Sequence, residues 1–198
     1  STQASWGPLV PFLQALGKSA GETARQRIER LIALLSRVPC PSGVTFIASV
    51  PGGDIAARQL KRFKLSAIHL MTPTIGDWNK RTLASWSKDV GVKPSQIHLK
   101  WIAEQHPWAA STGWALSRKA KGVLETNGVQ VECLPSDTRL TGDHLDADTR
   151  WSHTKLYLLC SGEKCHLLVT SANWSTSAWG AGEQPPRNFE LGVVFESA

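Results

Sequence analysis

Three features of the sequence predict an α/β sandwich, a mostly buried mixed β-sheet flanked by helices. Residues 22–37 carry Ile28, Leu31, Ile32 and Leu35 at helical spacing, with arginines on the other face. Apolar runs of strand length follow at 44–50, 67–71, 96–102 and 129–134, set apart by polar, glycine- and proline-containing stretches. Two more runs, 154–160 and 165–169, are joined by Ser161-Gly162-Glu163-Lys164, which has the length and composition of a hairpin turn. Helical and extended segments of this kind bury their apolar faces by packing in layers.

Taken in order, residues 8–17 and 22–37 are the first two predicted helices, and Pro39-Cys40-Pro41-Ser42-Gly43 ends the second. Val44 to Val50 is a strand closed by the turn signal Pro51-Gly52-Gly53. Residues 54–63 read as a short helix whose Arg58, Lys61 and Arg62, with Lys64 beyond, make a solvated basic face. The strand Ala67 to Met71 runs into Thr72-Pro73-Thr74-Ile75-Gly76-Asp77 ahead of a tryptophan-containing helix. Its small hydroxylated residues could receive a phosphate at the helix N-terminus or simply cap that helix. Gln96 to Ile102 is a strand, Thr112 to Asn127 a helix with a basic patch at Arg118, Lys119 and Lys121, and Gly128 ends it before the strand Val129 to Leu134. Pro135 to Arg150 is polar, acidic and without periodicity, a long surface loop placed to form one wall of a groove. Asp143, Asp146 and Asp148, with His144, are the rival reading of that loop as a metal cluster.

The chemistry concentrates after that loop. His153 and Lys155 are two apart on an extended segment and project from one face. The hairpin that follows returns the chain, so that Asn173 in Thr170-Ser171-Ala172-Asn173-Trp174-Ser175 comes back towards His153. A proton-transfer group, a cation and an amide donor then converge. Such a set suits a phosphate ester, because the cation and amide hold non-bridging oxygens while imidazole attacks phosphorus or protonates a leaving oxygen. His98-Leu99-Lys100 repeats the His-x-Lys spacing, but no Ser-x-Asn turn follows it at the required distance. It reads as the solvent face of a half-buried strand.

His-x-Lys followed by a Ser-x-Asn turn resembles the signature of the phospholipase D superfamily, and the run Leu168 to Gly180 is similar to the second catalytic motif of tyrosyl-DNA phosphodiesterases. The match extends to the strand Phe189-Glu190-Leu191-Gly192-Val193-Val194-Phe195. The superfamily usually carries an aspartate five residues after the lysine; this chain has Cys160 there, and the tyrosyl-DNA phosphodiesterase branch also lacks that aspartate. The resemblance implies a phospholipase D-type lobe that donates one His-Lys-Asn set to a cleft shared with a second set. It implies that His153 is the acid and base, that Lys155 and Asn173 hold phosphate oxygens, and that Glu190 supports the histidine of the opposite lobe. Ser175 matches a nearby phosphate contact, Ser171 lies in the same turn, and Thr74 matches a serine-rich segment near the nucleic-acid groove. The implied reaction passes through a phosphohistidine and uses no metal or other cofactor. Residues 1–42 are expected to lead from an upstream lobe, and 43–198 to be the catalytic lobe.

Composition sets outer bounds. At 198 residues and 41% hydrophobic composition, the chain can bury a proper core. Its 22 Lys and Arg against 16 Asp and Glu give a net charge of +6 and a pI near 9.4, which favours polyanionic partners. DNA, above all a 3′ end with a covalent adduct, is the partner the resemblance implies. No apolar run approaches a membrane span and no basic, apolar leader opens the sequence, so no membrane partner is expected. The expected location is intracellular, the nucleus in a eukaryote and the cytoplasm otherwise. The four cysteines lack paired CxxC spacing and read as packed thiols, with Cys160 and Cys165 flanking the hairpin. Of the nine tryptophans, Trp151, Trp174 and Trp179 lie beside the motif and could stack on bases or a peptide. Two alternatives stand beside the two-lobe hydrolase: a single-motif nuclease completed by homodimerisation, and a catalytically silent nucleic-acid-binding lobe.

Overall fold

The computed structural model describes residues 6–102, 116, 118–134 and 154–197. Seven strands form one sheet: β1 (Val44–Ser49), β2 (Ala67–Met71), β3 (Ile97–Ile102), β4 (Gln130–Leu134), β5 (Leu156–Ser161), β6 (Lys164–Thr170) and β7 (Glu190–Phe195). Their order is β1-β7-β6-β5-β2-β3-β4. The β2–β3 and β3–β4 pairings are parallel and the others antiparallel, so the sheet is mixed, as the sequence predicts. Parallel neighbours need a crossover, and α3 (Lys80–Val90) and α4 (Arg118–Thr126) lie in the two connections that supply one. The remaining helices are α1 (Leu9–Ser19), α2 (Glu22–Leu35) and the single turn α5 (Thr176–Trp179).

Strand alternation divides the apolar residues between two faces. Ile68, Leu70, Ile97, Leu99, Tyr157, Leu159, Leu168 and Val194 point to one face and none is more than 1% exposed. Full burial of such a side chain stabilises by roughly 1.5–3 kcal/mol. This core continues into Leu83 and Trp86 of α3, Leu124 of α4 and Trp179 of α5. At the β1 end, the opposite face is covered by Leu9, Phe12 and Leu13 of α1, which pack with Phe46, Ala48 and Leu191. Ile28, Ile32 and Leu35 of α2 join that smaller cluster. Leu31, expected on the same stripe, instead faces solvent because one layer of α1 cannot cover the whole apolar arc.

The stretch expected as a short helix at 54–63 is a 3-10 helix over Ala56–Phe63, closed by Lys64 in the left-handed region at φ 50°. Its Ala56, Ala57, Leu60 and Phe63 face the core, while Arg58, Lys61 and Arg62 are exposed, which is the solvated basic face. Arg58 also pairs with Asp89 at 3.0 Å and donates to the Gly182 carbonyl. His98 and Lys100 point away from the main core, as expected of a solvent face. His98 stacks on His69 across β2–β3 with ring centroids 4.3 Å apart, and Lys100 pairs with Glu132. The capping alternative for Thr72 and Thr74 is corrected: Asn79 is the N-cap of α3, in a reciprocal capping box with Thr82. Thr72 lies too early in the chain to reach that turn. No helix among the described residues is long and apolar enough to cross a membrane.

Trp86 sits at the centre of the core, fully buried and edge-on to Trp78, Trp174 and Trp179 at 5.9, 5.6 and 6.5 Å. Trp86→Ala is expected to cost about 3–5 kcal/mol, the range for truncating a buried aromatic. Leu34→Ala on exposed α2 should stay within about 0.5 kcal/mol of the parent. Urea unfolding of both variants checks the contrast.

Candidate active site

Lys155 stands one residue before β5 and is only 7% exposed. Its carbonyl accepts the Thr170 N–H at 3.2 Å, which sets the β5–β6 register. That register brings the end of β6, and with it the turn 170–175, beside the start of β5. Burial draws the Lys155 ammonium below the ordinary lysine range, and the nearby Glu190 carboxylate acts in the opposite sense. Lysine and carboxylate thus share one electrostatic environment. Glu190 is the first residue of β7; its carboxylate accepts hydrogen bonds from the Ser171 hydroxyl and, at 3.2 Å, from Asn188 Nδ2. Ser171 Oγ in turn accepts the Leu191 N–H at 3.1 Å.

Asn173 is held from a different part of the chain. The Thr72 hydroxyl, 4% exposed, lies 3.2 Å from Asn173 Oδ1 and 2.9 Å from the Thr74 carbonyl. With Oδ1 turned to a hydroxyl donor, the amide presents its N–H groups elsewhere, and Nδ2 has no partner among the described residues. The segment from Thr72 is docked on the motif by three further contacts. Gly76 N–H and Trp78 Nε1–H both donate to the Trp174 carbonyl, at 2.9 and 3.1 Å, and Ile75 forms a parallel bridge with Trp174. Only glycine fits at 76, because a Cβ there would meet Ser175 Cβ at 2.6 Å. Gly192 has a similar basis: a Cβ would meet Leu168 Cδ1 at 2.7 Å and block the approach of β7 to β6. Ser175 caps α5, its hydroxyl oxygen accepting the Ala178 N–H at 3.2 Å.

The fold thus sets Lys155, Glu190 and Ser171 side by side, while Asn173 is held by Thr72, Ser175 caps α5, and Thr74 lies on the adjoining segment. His153 and Trp151 lie outside the described residues, as do Asp143, His144, Asp146 and Asp148. Among the described residues no group of three or more His, Cys, Asp and Glu could hold a metal ion. Trp174 and Trp179 are 0% and 2% exposed and belong to the core beneath the site, as most of the tryptophans are expected to, which removes the alternative that they stack on a ligand. Two functional contributors escape the sequence reading. Thr72 was read as a phosphate ligand or cap, whereas its side chain orients Asn173. Tyr157, fully buried, links Trp179 Nε1–H to the Ala172 carbonyl through its hydroxyl. The alternation that places His153 and Lys155 on one face continues to Tyr157, and was the available signal for it.

A seven-stranded mixed sheet flanked by helices is an α/β fold of the phospholipase D type. The chain belongs to the tyrosyl-DNA phosphodiesterase family, whose model matches residues 95–198, more than half of its length. Its fold is similar to that of yeast tyrosyl-DNA phosphodiesterase, with a TM-score of 0.55 at 20% identity over 97% of this chain and 54% of that one. A histidine-to-arginine variant of yeast tyrosyl-DNA phosphodiesterase 1 superposes with a TM-score of 0.57 at 18% identity, over 97% of this chain and 55% of that one. The chain thus spans about half the length of these solved structures. No curated protein sequence matches it.

Because the fold holds Lys155 at a depth that disfavours its charge, the unfolded chain binds the proton more readily, and this group's contribution to stability rises with pH towards the ordinary lysine range. Lys155→Met is expected to hold or raise stability at neutral pH, by up to about 2 kcal/mol. It should also remove the rise of stability with pH on the approach to the ordinary lysine range. Denaturant titrations across that range measure both. A clear loss of stability would mean that the Glu190 attraction outweighs burial.

Proposed function

We propose that this chain is a phosphodiesterase lobe that hydrolyses a 3′-phosphodiester adduct on DNA. The observation that carries this reading is Lys155, buried at the start of β5 within reach of the Glu190 charge, in the part of the chain that matches the family. In the proposed mechanism a histidine from a second His-x-Lys motif attacks phosphorus, forming a P–N bond as the P–O bond to the adduct breaks. His153 gives its proton to the departing oxygen. His153 then takes a proton from water as that water attacks phosphorus and releases the histidine. An imidazole near its unperturbed pKa of about 6.5 can do both at neutral pH. The Lys155 ammonium and the Asn173 amide hold the non-bridging oxygens as charge grows in the transition state.

Ser175 and Thr74 are proposed to complete the phosphate side. Ser171 reaches it only by exchanging its contact with Glu190, which the proposal assigns to the histidine across the cleft. The second motif comes from an upstream lobe, with residues 1–42 leading from it and 43–198 forming the catalytic lobe. The sheet supports the need for a partner: Leu158, Leu167, Val169 and Phe195 share the face away from the main core and are 38–50% exposed. A contiguous apolar patch of this kind suits a protein partner. A second copy of the chain would cover the same face, which keeps the homodimeric nuclease as the second reading. The proposed location is intracellular, and nuclear in a eukaryote.

The test is cleavage of a 3′-phosphotyrosyl oligonucleotide without added metal, with and without the upstream lobe supplied in trans. Turnover that needs the added lobe and that His153→Ala abolishes is the expected result. Turnover by this chain alone, second order in protein, would move the assignment to the homodimer. Salt-sensitive DNA binding without turnover under either condition would leave a binding lobe.

Thr72→Val keeps the shape of the side chain but removes the donor to Asn173 Oδ1. It is expected to lower kcat by roughly 10²-fold, the scale of a misplaced catalytic group, while denaturant stability falls by about 1–2 kcal/mol. Kinetics of the lobe pair, set beside the unfolding curve, separate the two effects.

A further inference from the structure

The hairpin that carries the site also carries two thiols that phosphodiester chemistry does not use. Its turn is Gly162-Glu163, with Gly162 at φ 61°, and Ser161 and Lys164 close it as a register pair. The next pair is Cys160 opposite Cys165. In an antiparallel ladder a residue turns its N–H and C=O to the same side, and the Cys160 carbonyl faces β2, where it accepts the Ser66 N–H at 2.7 Å. Cys160 and Cys165 are therefore a non-hydrogen-bonded pair, the class in which opposed Cα atoms approach to about 4.5 Å and the side chains lie closest. That separation falls inside the range a disulfide spans, roughly 4.4–6.8 Å between Cα atoms. Both cysteines are reduced and both are partly exposed.

We propose that Cys160 and Cys165 are a redox-active dithiol, which a hydroperoxide oxidises to a cross-strand disulfide clasping the tip of the β5–β6 hairpin. The Cys165 sulfur attacks the terminal peroxide oxygen, the O–O bond breaks, and the thiol becomes a sulfenic acid as the peroxide is reduced to an alcohol or water. The Cys160 sulfur then attacks the sulfenic sulfur, the S–O bond breaks, and water leaves with the Cys160 proton. Two electrons pass to the peroxide and each cysteine loses its hydrogen. Burial pushes the Cys160 thiol up to about 11, which disfavours it as the first nucleophile and leaves it the resolving role, its proton departing as its sulfur attacks. This chemistry does not depend on phosphodiester hydrolysis.

Trypsin makes the state directly readable, because it cuts after Lys155, Lys164 and Arg187 and so places the two cysteines on separate peptides. The native chain is treated with hydrogen peroxide, remaining thiols are alkylated, and the digest is analysed by mass spectrometry without and with reductant. Peptides 156–164 and 165–187 are expected to be joined, lighter by two hydrogens than their sum, and separated by reductant. Recovery of both as separate alkylated peptides would overturn the proposal, as would either one joined to Cys40, Cys133 or a second chain. In Cys160→Ser, dimedone should trap Cys165 as the sulfenic acid at several times the parent yield. Equal trapping in the two proteins would show that Cys160 does not resolve it, and would equally overturn the proposal.

Discussion

Everything at the site rests on one buried hydroxyl. Tyr157 is fully enclosed, its O–H donates to the Ala172 carbonyl and its oxygen accepts the Trp179 Nε1–H, each at 3.1 Å. Tyr157 lies two residues beyond Lys155, Ala172 one residue before Asn173, and Trp179 ends the turn that Ser175 caps. A single side chain thus fixes the strand bearing the cation, the loop bearing the amide and the helix behind both. Burial carries the phenol well above the ordinary tyrosine range, which keeps it a neutral donor at every pH the protein meets. Such a group matters less for what its hydrogen bonds add than for what their loss leaves behind. An unpaired buried carbonyl or indole N–H costs about 1–3 kcal/mol, whereas a satisfied bond contributes only about 1 kcal/mol net.

Four tryptophans make the base on which the motif loop sits. Trp78, Trp86, Trp174 and Trp179 meet edge-on or tilted in one cluster directly under the motif loop. Large flat side chains fill that space with few rotatable bonds, so the loop above them has little freedom to lose when a ligand binds. The cluster is not cost-free. Trp86 Nε1 and Trp174 Nε1 are buried without a hydrogen-bond partner, a penalty the packing of the rings must exceed. Trp78 avoids it by donating to the Trp174 carbonyl, and in doing so pins the Thr72 segment to the motif.

The parts of this arrangement that were legible in the sequence are those governed by local pattern. Apolar runs of strand length mark the strands, and turn composition marks the hairpin that pairs β5 with β6. The decoy at His98 and Lys100 was recognised for the same reason, since a solvent-facing strand row explained it without a site. What stayed hidden depended on contacts between distant positions. Thr72 and Asn173 are 101 residues apart, and nothing near Thr72 shows that its hydroxyl will meet an amide rather than a phosphate or a helix end. Asn79 won the cap because it stands at the helix start with Thr82 in place to reciprocate, and an Asn-x-x-Thr pattern is a weaker signal than the usual box. For Trp174 and Trp179 the sequence leaves core and ligand stacking both open, because motif adjacency suggests a ligand while burial is decided by the layer on which the motif lies.

The same layering decides what the lobe can do alone. Glu190 lies beside Lys155 yet spends its oxygens on Ser171 and Asn188, and the lysine is buried at a cost the carboxylate only partly offsets. In the proposed reaction the buried Lys155 ammonium and the Asn173 amide held by Thr72 would receive the charge of a phosphate. Electrostatic preorganisation of this kind is stabilised by the rest of the fold in advance, so the reacting phosphate need not reorder its surroundings when its charge grows. The apolar face formed by Leu158, Leu167, Val169 and Phe195 lies on the reverse of the strands that hold Lys155 and Tyr157. A partner packed there would stiffen that strand pair from behind.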